Sequence, residues 1–78
     1  MIVKLKKDFV NSTASSAYRK WTVRSTKTAT RVRSVTTEWV GGNHSTQIMF
    51  CDFPTWEAAY IWFSECVSED LAKGWIRR

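Results

Sequence analysis

Apolar residues recur at helical spacing in the C-terminal third of the chain. Between Phe53 and Gly74 they return every three or four residues, which predicts one amphipathic helix over about residues 56–73. The residues predicted to face the core are Trp56, Ala59, Tyr60, Phe63, Cys66, Val67 and Leu71. Thr55 suits the N-cap because its hydroxyl can accept a hydrogen bond from a free backbone N–H. Gly74 suits the position after the helix, where a positive φ is common.

Before this helix, apolar and polar residues alternate, as they do in the strands of a half-buried sheet. The alternation predicts four strands, over about residues 2–7, 18–26, 30–40 and 45–51. Turn-forming residues in Asp8–Ser16 predict a loop, and Gly41-Gly42-Asn43 predicts a tight hairpin loop. We therefore expect a single α+β domain, with a small antiparallel sheet of three to four strands packed against one C-terminal helix.

The third predicted strand changes the phase of its alternation. Val32 falls on one face, whereas Val35, Thr37 and Trp39 fall on the other. A β-bulge near Ser34 would bring all four to the same face, because one extra residue inverts the alternation. The pattern therefore predicts a bulge at that point.

Basic residues are concentrated in the predicted sheet, in a chain with a net charge of +5. Six of them, with no acid between, lie from Arg19 to Arg33: Arg19, Lys20, Arg24, Lys27, Arg31 and Arg33. Because same-face side chains on paired strands lie about 5 Å apart, such residues can form a basic surface opposite the helix. The residues predicted to bind nucleic acid there are Lys4, Lys6, Lys20, Arg24, Arg31 and Arg33.

The same charges suit two other interpretations. An acidic protein or nucleoprotein surface would also be attracted to a basic sheet face. Alternatively, the outer face of a small antiparallel sheet must be solvated, and Lys, Arg and Thr serve that purpose without any partner. The sequence leaves these interpretations open, together with the choice between DNA and RNA.

Two helix residues do not fit the apolar stripe, since Ile61 lies off it and Trp62 lies on its margin. In one interpretation, Trp62 packs at the edge of the core and Ile61 is a scattered exposed residue. In the other, Trp56, Ile61 and Trp62 form an apolar patch that binds a partner protein, because exposed Trp is enriched at interfaces.

No pattern in the chain indicates catalysis, a metal site or another cofactor. The single histidine, His44, follows a glycine-rich turn, and with Cys51 and Cys66 it lacks any recognisable metal-ligand spacing. The helix acids are predicted to form a solvated face: Glu57, Glu65, Glu69 and Asp70. We therefore expect a binding module without enzymatic activity, cofactor or small-molecule substrate.

The N-terminal residues MIVKLKK lack the apolar core of a secretory signal, and no apolar run approaches the roughly 20 residues that span a membrane. A cytoplasmic protein with no membrane partner is the resulting expectation. In that setting Cys51 and Cys66 are expected to be buried free thiols rather than a disulfide.

Several short motifs follow one another along the chain. They are Tyr18-Arg19-Lys20-Trp21-Thr22-Val23, Trp39-Val40-Gly41-Gly42, Gln47–Phe50, Phe53-Pro54-Thr55-Trp56-Glu57-Ala58-Ala59, Phe63 and Gly74-Trp75. This order resembles the WGR domain, a small module of DNA-dependent poly(ADP-ribose) polymerases and some bacterial proteins. The resemblance implies an α+β fold and DNA binding, with Trp39 either packed in the turn or stacked on a base. The family's DNA-contacting arginine has no counterpart, because Val40 and Gly41 follow Trp39 directly.

The size and basic composition also resemble those of small proteins from phages and mobile elements. Some of these, including anti-CRISPR and other counter-defence proteins, block a host machine with a bare sheet-plus-helix scaffold. The alternative function is therefore an inhibitor that binds a host protein complex. It would use either the basic face or the patch around Ile61 and Trp62.

Overall fold

The computed structural model describes residues 1–8, 16–40 and 42–78. These residues form an antiparallel sheet of five strands and one helix, which confirms the predicted α+β fold. The elements are β1 (Ile2–Asp8), β2 (Ser16–Ser25), β3 (Thr30–Val40), β4 (Asn43–Phe53), α1 (Trp56–Ala72) and β5 (Ile76–Arg77). The strand order is β4-β3-β2-β1-β5. The four predicted strands are confirmed, and β5 is an additional short strand.

The hairpin and loop predictions fall partly on residues that the structure does not describe. The predicted loop over Asp8–Ser16 lies largely outside the described residues, and so does Gly41. In the β3–β4 hairpin, Val40 pairs with Asn43, and Gly42 has a φ of +84°, a conformation that glycine adopts without steric cost. This pairing agrees with a tight turn, but Asn43, which was predicted in the loop, is the first residue of β4.

The predicted bulge near Ser34 is wrong. β3 pairs without interruption with both β2 and β4 along its whole length. Its side chains therefore alternate strictly, and Val35 and Trp39 stay on the face opposite Val32. On the helix side, β3 buries the small polar residues Ser34 and Thr36 in their place. The phase change in the sequence therefore reflects that β3 has an apolar residue, Val32, on the helix side and then apolar residues, Val35 and Trp39, on the opposite side.

The hydrophobic core lies between α1 and one face of the sheet. It consists of Leu5, Ala17, Trp21, Val23, Val32, Ala59, Phe63, Val67 and Trp75. Phe63 is only 4 % exposed, as expected for the middle of the apolar stripe. Large aromatic side chains supply much of the buried area, which a domain of 78 residues needs because its core is small.

The helix is rotated about its axis relative to the predicted stripe. The residues it buries are Ala59, Phe63, Val67 and Asp70. Tyr60 and Leu71, which were expected in the core, are exposed, since they lie about 60–90° round the helix from this line. Trp56 is exposed at the first helical position. At the ends, the Thr55 hydroxyl accepts a hydrogen bond from the Ala58 N–H at 3.2 Å, and Gly74 has a φ of +101°. Both end signals are confirmed.

A polar cluster anchors the C-terminal end of α1 to the sheet. The prediction that Asp70 is solvated is wrong, because its carboxylate is buried and accepts hydrogen bonds from Arg19 Nη1 at 2.6 Å and Trp21 Nε1 at 2.8 Å. Arg19 Nε also donates to Thr36 Oγ1 at 2.9 Å, and the guanidinium lies 4.4 Å from the centre of the Trp75 ring. Arg19 therefore belongs to the helix side of the sheet and not to a basic surface opposite the helix.

Candidate nucleic-acid interface

All six residues predicted to bind nucleic acid lie on the sheet face turned away from α1, which we call the open face. Leu5, Trp21, Val23 and Val32 are buried beneath the helix. Because side chains alternate along a strand, their neighbours point to the other side. The strand register thus brings together Lys4, Lys6, Lys20, Arg24, Arg31 and Arg33.

The open face places like charges directly opposite one another. Lys4 is the cross-strand partner of Lys20, and Arg24 is the partner of Arg31. Directly opposed side chains lie about 5 Å apart, so the Lys4–Lys20 pair is a like-charge repulsion within the sheet. In the Arg24–Arg31 pair, the repulsion is reduced because Arg31 is paired with Asp52.

Only one of the six cations is neutralised within the described part of the chain. Arg31 donates to Asp52 through Nε at 2.8 Å and Nη2 at 3.0 Å. Those hydrogen bonds lower the pKa of the Asp52 carboxyl and raise the pKa of Arg31. The other five side chains make no hydrogen bond or ion pair with described residues: Lys4, Lys6, Lys20, Arg24 and Arg33. These five are available to bind phosphates.

Exposed aromatic rings share the open face with these cations. Tyr18, Trp39 and Phe50 are all exposed, and the apolar side chains of Ile2, Ile48 and Ile76 are exposed beside them. Sequence reasoning did not place Tyr18 or Phe50 in the site, and it left Trp39 between packing in the turn and stacking on a base. For Trp39 the available signal was the phase change in the third strand, which predicted a bulge but marks outward-facing apolar residues.

Each of these three rings lies close to a cationic or heteroaromatic side chain. The Arg31 guanidinium lies 4.2 Å from the centre of the Phe50 ring, and that of Arg78 lies 4.6 Å from the centre of the Tyr18 ring. The His44 ring lies 4.8 Å from that of Trp39 at an interplanar angle of 37°. Flat groups therefore already pack against these rings, as a nucleobase would.

A depression of about 560 Å³ occupies one end of the open face. Residues on β1, β2 and β3 border it, among them Ile2, Lys20, Thr22, Arg24, Arg31 and Arg33. Four of these six are cations. Phe50 is the β4 neighbour of Arg33, so an aromatic ring stands next to this border. The depression therefore offers apolar and cationic contacts to one ligand.

The three helix residues predicted as a protein interface do not form one patch. Trp62 is half-buried against the core, with its ring centre 6.0 Å from that of Trp21 and 5.5 Å from that of Phe53. This matches the interpretation that Trp62 packs at the core edge. Trp56 and Ile61 are exposed. Because each helix residue is rotated by 100° from the one before it, Trp56, Ile61 and Trp62 point in three different directions.

Other candidate chemistry gives no second site in the described residues. Cys51 and Cys66 are free thiols, as expected, but the expectation of burial is wrong for Cys51, which is exposed. Partial burial, followed by the charges of Glu69, Asp70 and Glu65, raises the pKa of the Cys66 thiol. Within residues 1–8, 16–40 and 42–78, no three His, Cys, Asp or Glu side chains cluster as metal ligands would. The described helix is too short and too polar to cross a bilayer.

Comparison with protein-family models, with curated proteins and with solved structures finds no match for this chain. The resemblance to the WGR domain therefore stays a prediction.

Proposed function

We propose that the protein binds single-stranded nucleic acid on its open face. The observation that carries this proposal is the presence of unneutralised cations and exposed aromatic rings on one solvent-facing side of the sheet. Proteins that bind single strands combine these two elements, because cations follow the phosphates while bases stack on rings. Phosphates lying between Lys4 and Lys20, or beside Arg24, would also relieve the repulsion between like charges.

The exposed rings favour a single strand over a duplex. In a duplex the base faces are stacked on one another, and only base edges and phosphates are accessible to a protein. A ring that lies on a sheet surface can contribute stacking only to bases that are already unstacked. A duplex would therefore use the cations alone and bind more weakly.

The contribution of the cations is tested by two substitutions that remove the same charge from opposite sides of the molecule. Arg33→Gln changes an open-face cation, whereas Lys73→Gln changes an exposed cation at the end of α1. Fluorescence anisotropy with a labelled 12-nucleotide DNA or RNA probe at 50 mM salt should give about three- to tenfold weaker binding for Arg33→Gln. Lys73→Gln should bind like the unsubstituted protein. Equal losses would indicate that only net charge matters.

The contribution of stacking is tested by two tryptophans of matched exposure. Trp39 is 42 % exposed on the open face, and Trp56 is 41 % exposed at the start of α1. Loss of one stacked base costs about 1–3 kcal/mol, so Trp39→Ala should weaken single-strand binding at least fivefold. Trp56→Ala should not. Binding weaker than micromolar to DNA and RNA single strands at 50 mM salt would overturn the proposed function.

An acidic protein surface is the remaining alternative for the same cations, and an inhibitor of a host complex would belong to this class. Such a partner uses Lys and Arg as nucleic acid does, but it has no need of Tyr18, Trp39 and Phe50 as flat stacking surfaces. If DNA or RNA single strands bind but Arg33→Gln and Trp39→Ala leave the affinity unchanged, nucleic acid uses a surface other than the open face. If neither DNA nor RNA single strands bind with micromolar affinity, this alternative replaces the proposal. Native-host capture with and without nuclease would then identify the partner.

A further inference from the structure

β4 is the outer strand of the sheet along its whole length. It spans 11 residues, and its single neighbour among the described strands is β3. In an antiparallel ladder every second residue directs its N–H and C=O to one side. Alternate residues of β4 therefore present these groups outward, and no backbone hydrogen bond joins them to another described element. The outer side of β4 is a template for one more strand.

This edge lacks the features that usually prevent strand pairing. β4 contains neither Lys nor Pro, and its one acid, Asp52, is neutralised by Arg31. Ile48, Met49 and Phe50 are exposed in the middle of the strand, on both faces of the sheet. The other edge of the sheet is different, because β5 has only two residues and is followed by Arg78.

We infer that two copies of the chain pair antiparallel through β4, with Ile48 of one copy opposite Ile48 of the other. Residues that face each other in an antiparallel pair must both direct their backbone groups toward the partner or both away. A two-fold axis must therefore pass through a residue and not between two residues. The axis at Ile48 is the choice that pairs all residues of Asn43–Phe53, because Ile48 is the middle of the strand.

The side chains of β4 are self-complementary in this register. His44 comes to lie opposite Asp52 of the second copy, and this contact forms twice. The imidazole can donate a hydrogen bond to the carboxylate there. Gln47 lies opposite Met49, and Ser45 lies opposite Cys51. No like charges are brought together, so charge complementarity identifies a second copy as the occupant of this edge.

Pairing in this way extends the sheet without changing its faces. Cross-strand partners project to the same side of a sheet, so the two open faces become one continuous surface of ten strands. A longer single strand could then contact both copies. The pairing itself does not depend on nucleic acid, and it is tested without any ligand.

The first test is the molar mass in solution. Light scattering of the nucleic-acid-free protein between about 5 and 200 μM should give twice the 9.1 kDa mass of the chain at the upper concentrations. Ile48→Lys sets two ammonium groups against each other at the axis and should weaken association at least tenfold. Ile61→Lys is the matched control, because Ile61 is 59 % exposed on α1 and Ile48 is 56 % exposed. A monomer at 200 μM, or equal effects of the two changes, would overturn the inference.

The second test determines the register between the two β4 strands from which introduced cysteine forms a disulfide with Cys51 of the second copy. Both variants are made in a Cys66→Ser background. Adding Ser45→Cys sets a new thiol opposite Cys51 of the second copy, within the roughly 5.5 Å between Cα atoms that a disulfide prefers. Within one chain these positions are about 20 Å apart, so any disulfide joins two chains. Gln47→Cys is the control, since it faces Cys51 only in a register displaced by two residues. Rapid cross-linking of Ser45→Cys alone supports the inference, and cross-linking of Gln47→Cys alone refutes it.

Discussion

At the scale of single residues, Asp70 is the centre of the buried polar cluster at the C-terminal end of α1. Its carboxylate joins α1 to β2 through Arg19 and Trp21, which are 51 and 49 residues away in sequence. Its backbone carbonyl also accepts hydrogen bonds from the N–H groups of Lys73 and Trp75, so the same residue shapes the turn after the helix. Buried polar groups are stable only when their partners are present, which makes this cluster sensitive to substitution.

We predict that Asp70→Ala lowers the free energy of unfolding by about 3–5 kcal/mol, because Trp21 Nε1 loses its acceptor and the Arg19 guanidinium loses its carboxylate partner and keeps only its hydrogen bond to Thr36. Asp70→Asn should cost less, since an amide oxygen can still accept from Trp21. Urea denaturation followed by Trp fluorescence measures both. Glu69→Ala is the control, because the neighbouring acid is exposed and should change stability by no more than about 0.5 kcal/mol. A loss for Asp70→Ala as small as that of Glu69→Ala would contradict the prediction.

At the scale of elements, α1 covers the sheet with a narrow line of residues rather than with the full apolar stripe of the sequence. Ala59, Phe63 and Val67 make the contact, with Trp62 and Cys66 along one margin. Tyr60 and Leu71 stay in solvent. The buried surface of the helix therefore depends heavily on one large side chain, that of Phe63.

Phe63→Ala should lower the free energy of unfolding by about 3–5 kcal/mol through lost burial and the cavity it leaves. Small domains are stable by only about 5–15 kcal/mol, so this variant should be largely unfolded at 37 °C. Tyr60→Ala removes a neighbouring ring that is 43 % exposed and should cost much less. Circular dichroism melts of both variants make the comparison. Similar midpoints would show that the helix does not pack on the Phe63 side.

At the scale of the whole molecule, the two sides of the sheet have different tasks. The helix side buries the core and pairs Arg19 with Asp70, whereas the open face keeps five cations without a partner among the described residues. A net charge of +5 is thus distributed asymmetrically. Such asymmetry attracts and orients anionic ligands over distances comparable to the Debye length.

Salt dependence measures how many of these cations contact phosphates. Release of about 0.7 counterions per phosphate predicts a slope near −3.5 for log K against log salt if all five bind a single strand. Arg24→Gln should reduce the magnitude of the slope by about 0.7, and Lys73→Gln should leave it unchanged. Titrations between 50 and 300 mM salt give both values. A slope near −1 would mean that the open face does not follow the phosphate backbone.

The local pattern of residues is sufficient to predict the elements and the location of the charge. Periods of 2 and 3.6 residues are local properties, so the four long strands, the helix and its Thr55 cap could be predicted from them. The same alternation placed Lys20 and Arg24 opposite Trp21 and Val23, because a strand that buries one face must expose the other. Five of the six predicted cations lie on the open face with no neutralising neighbour among the described residues.

Which side of each element contacts which partner depends on how the elements pack together. Contacts between residues far apart in sequence determine three features: Asp70 is buried, Arg19 lies on the helix side of the sheet, and Tyr60 is exposed. β5 is too short to show any period, and it forms because β1 offers it an edge. Trp39 and Phe50 are exposed because α1 is the single helix of the described chain and covers only one face of the sheet. An apolar pattern predicts that residues share a face, but the packing of the other elements decides whether that face is buried.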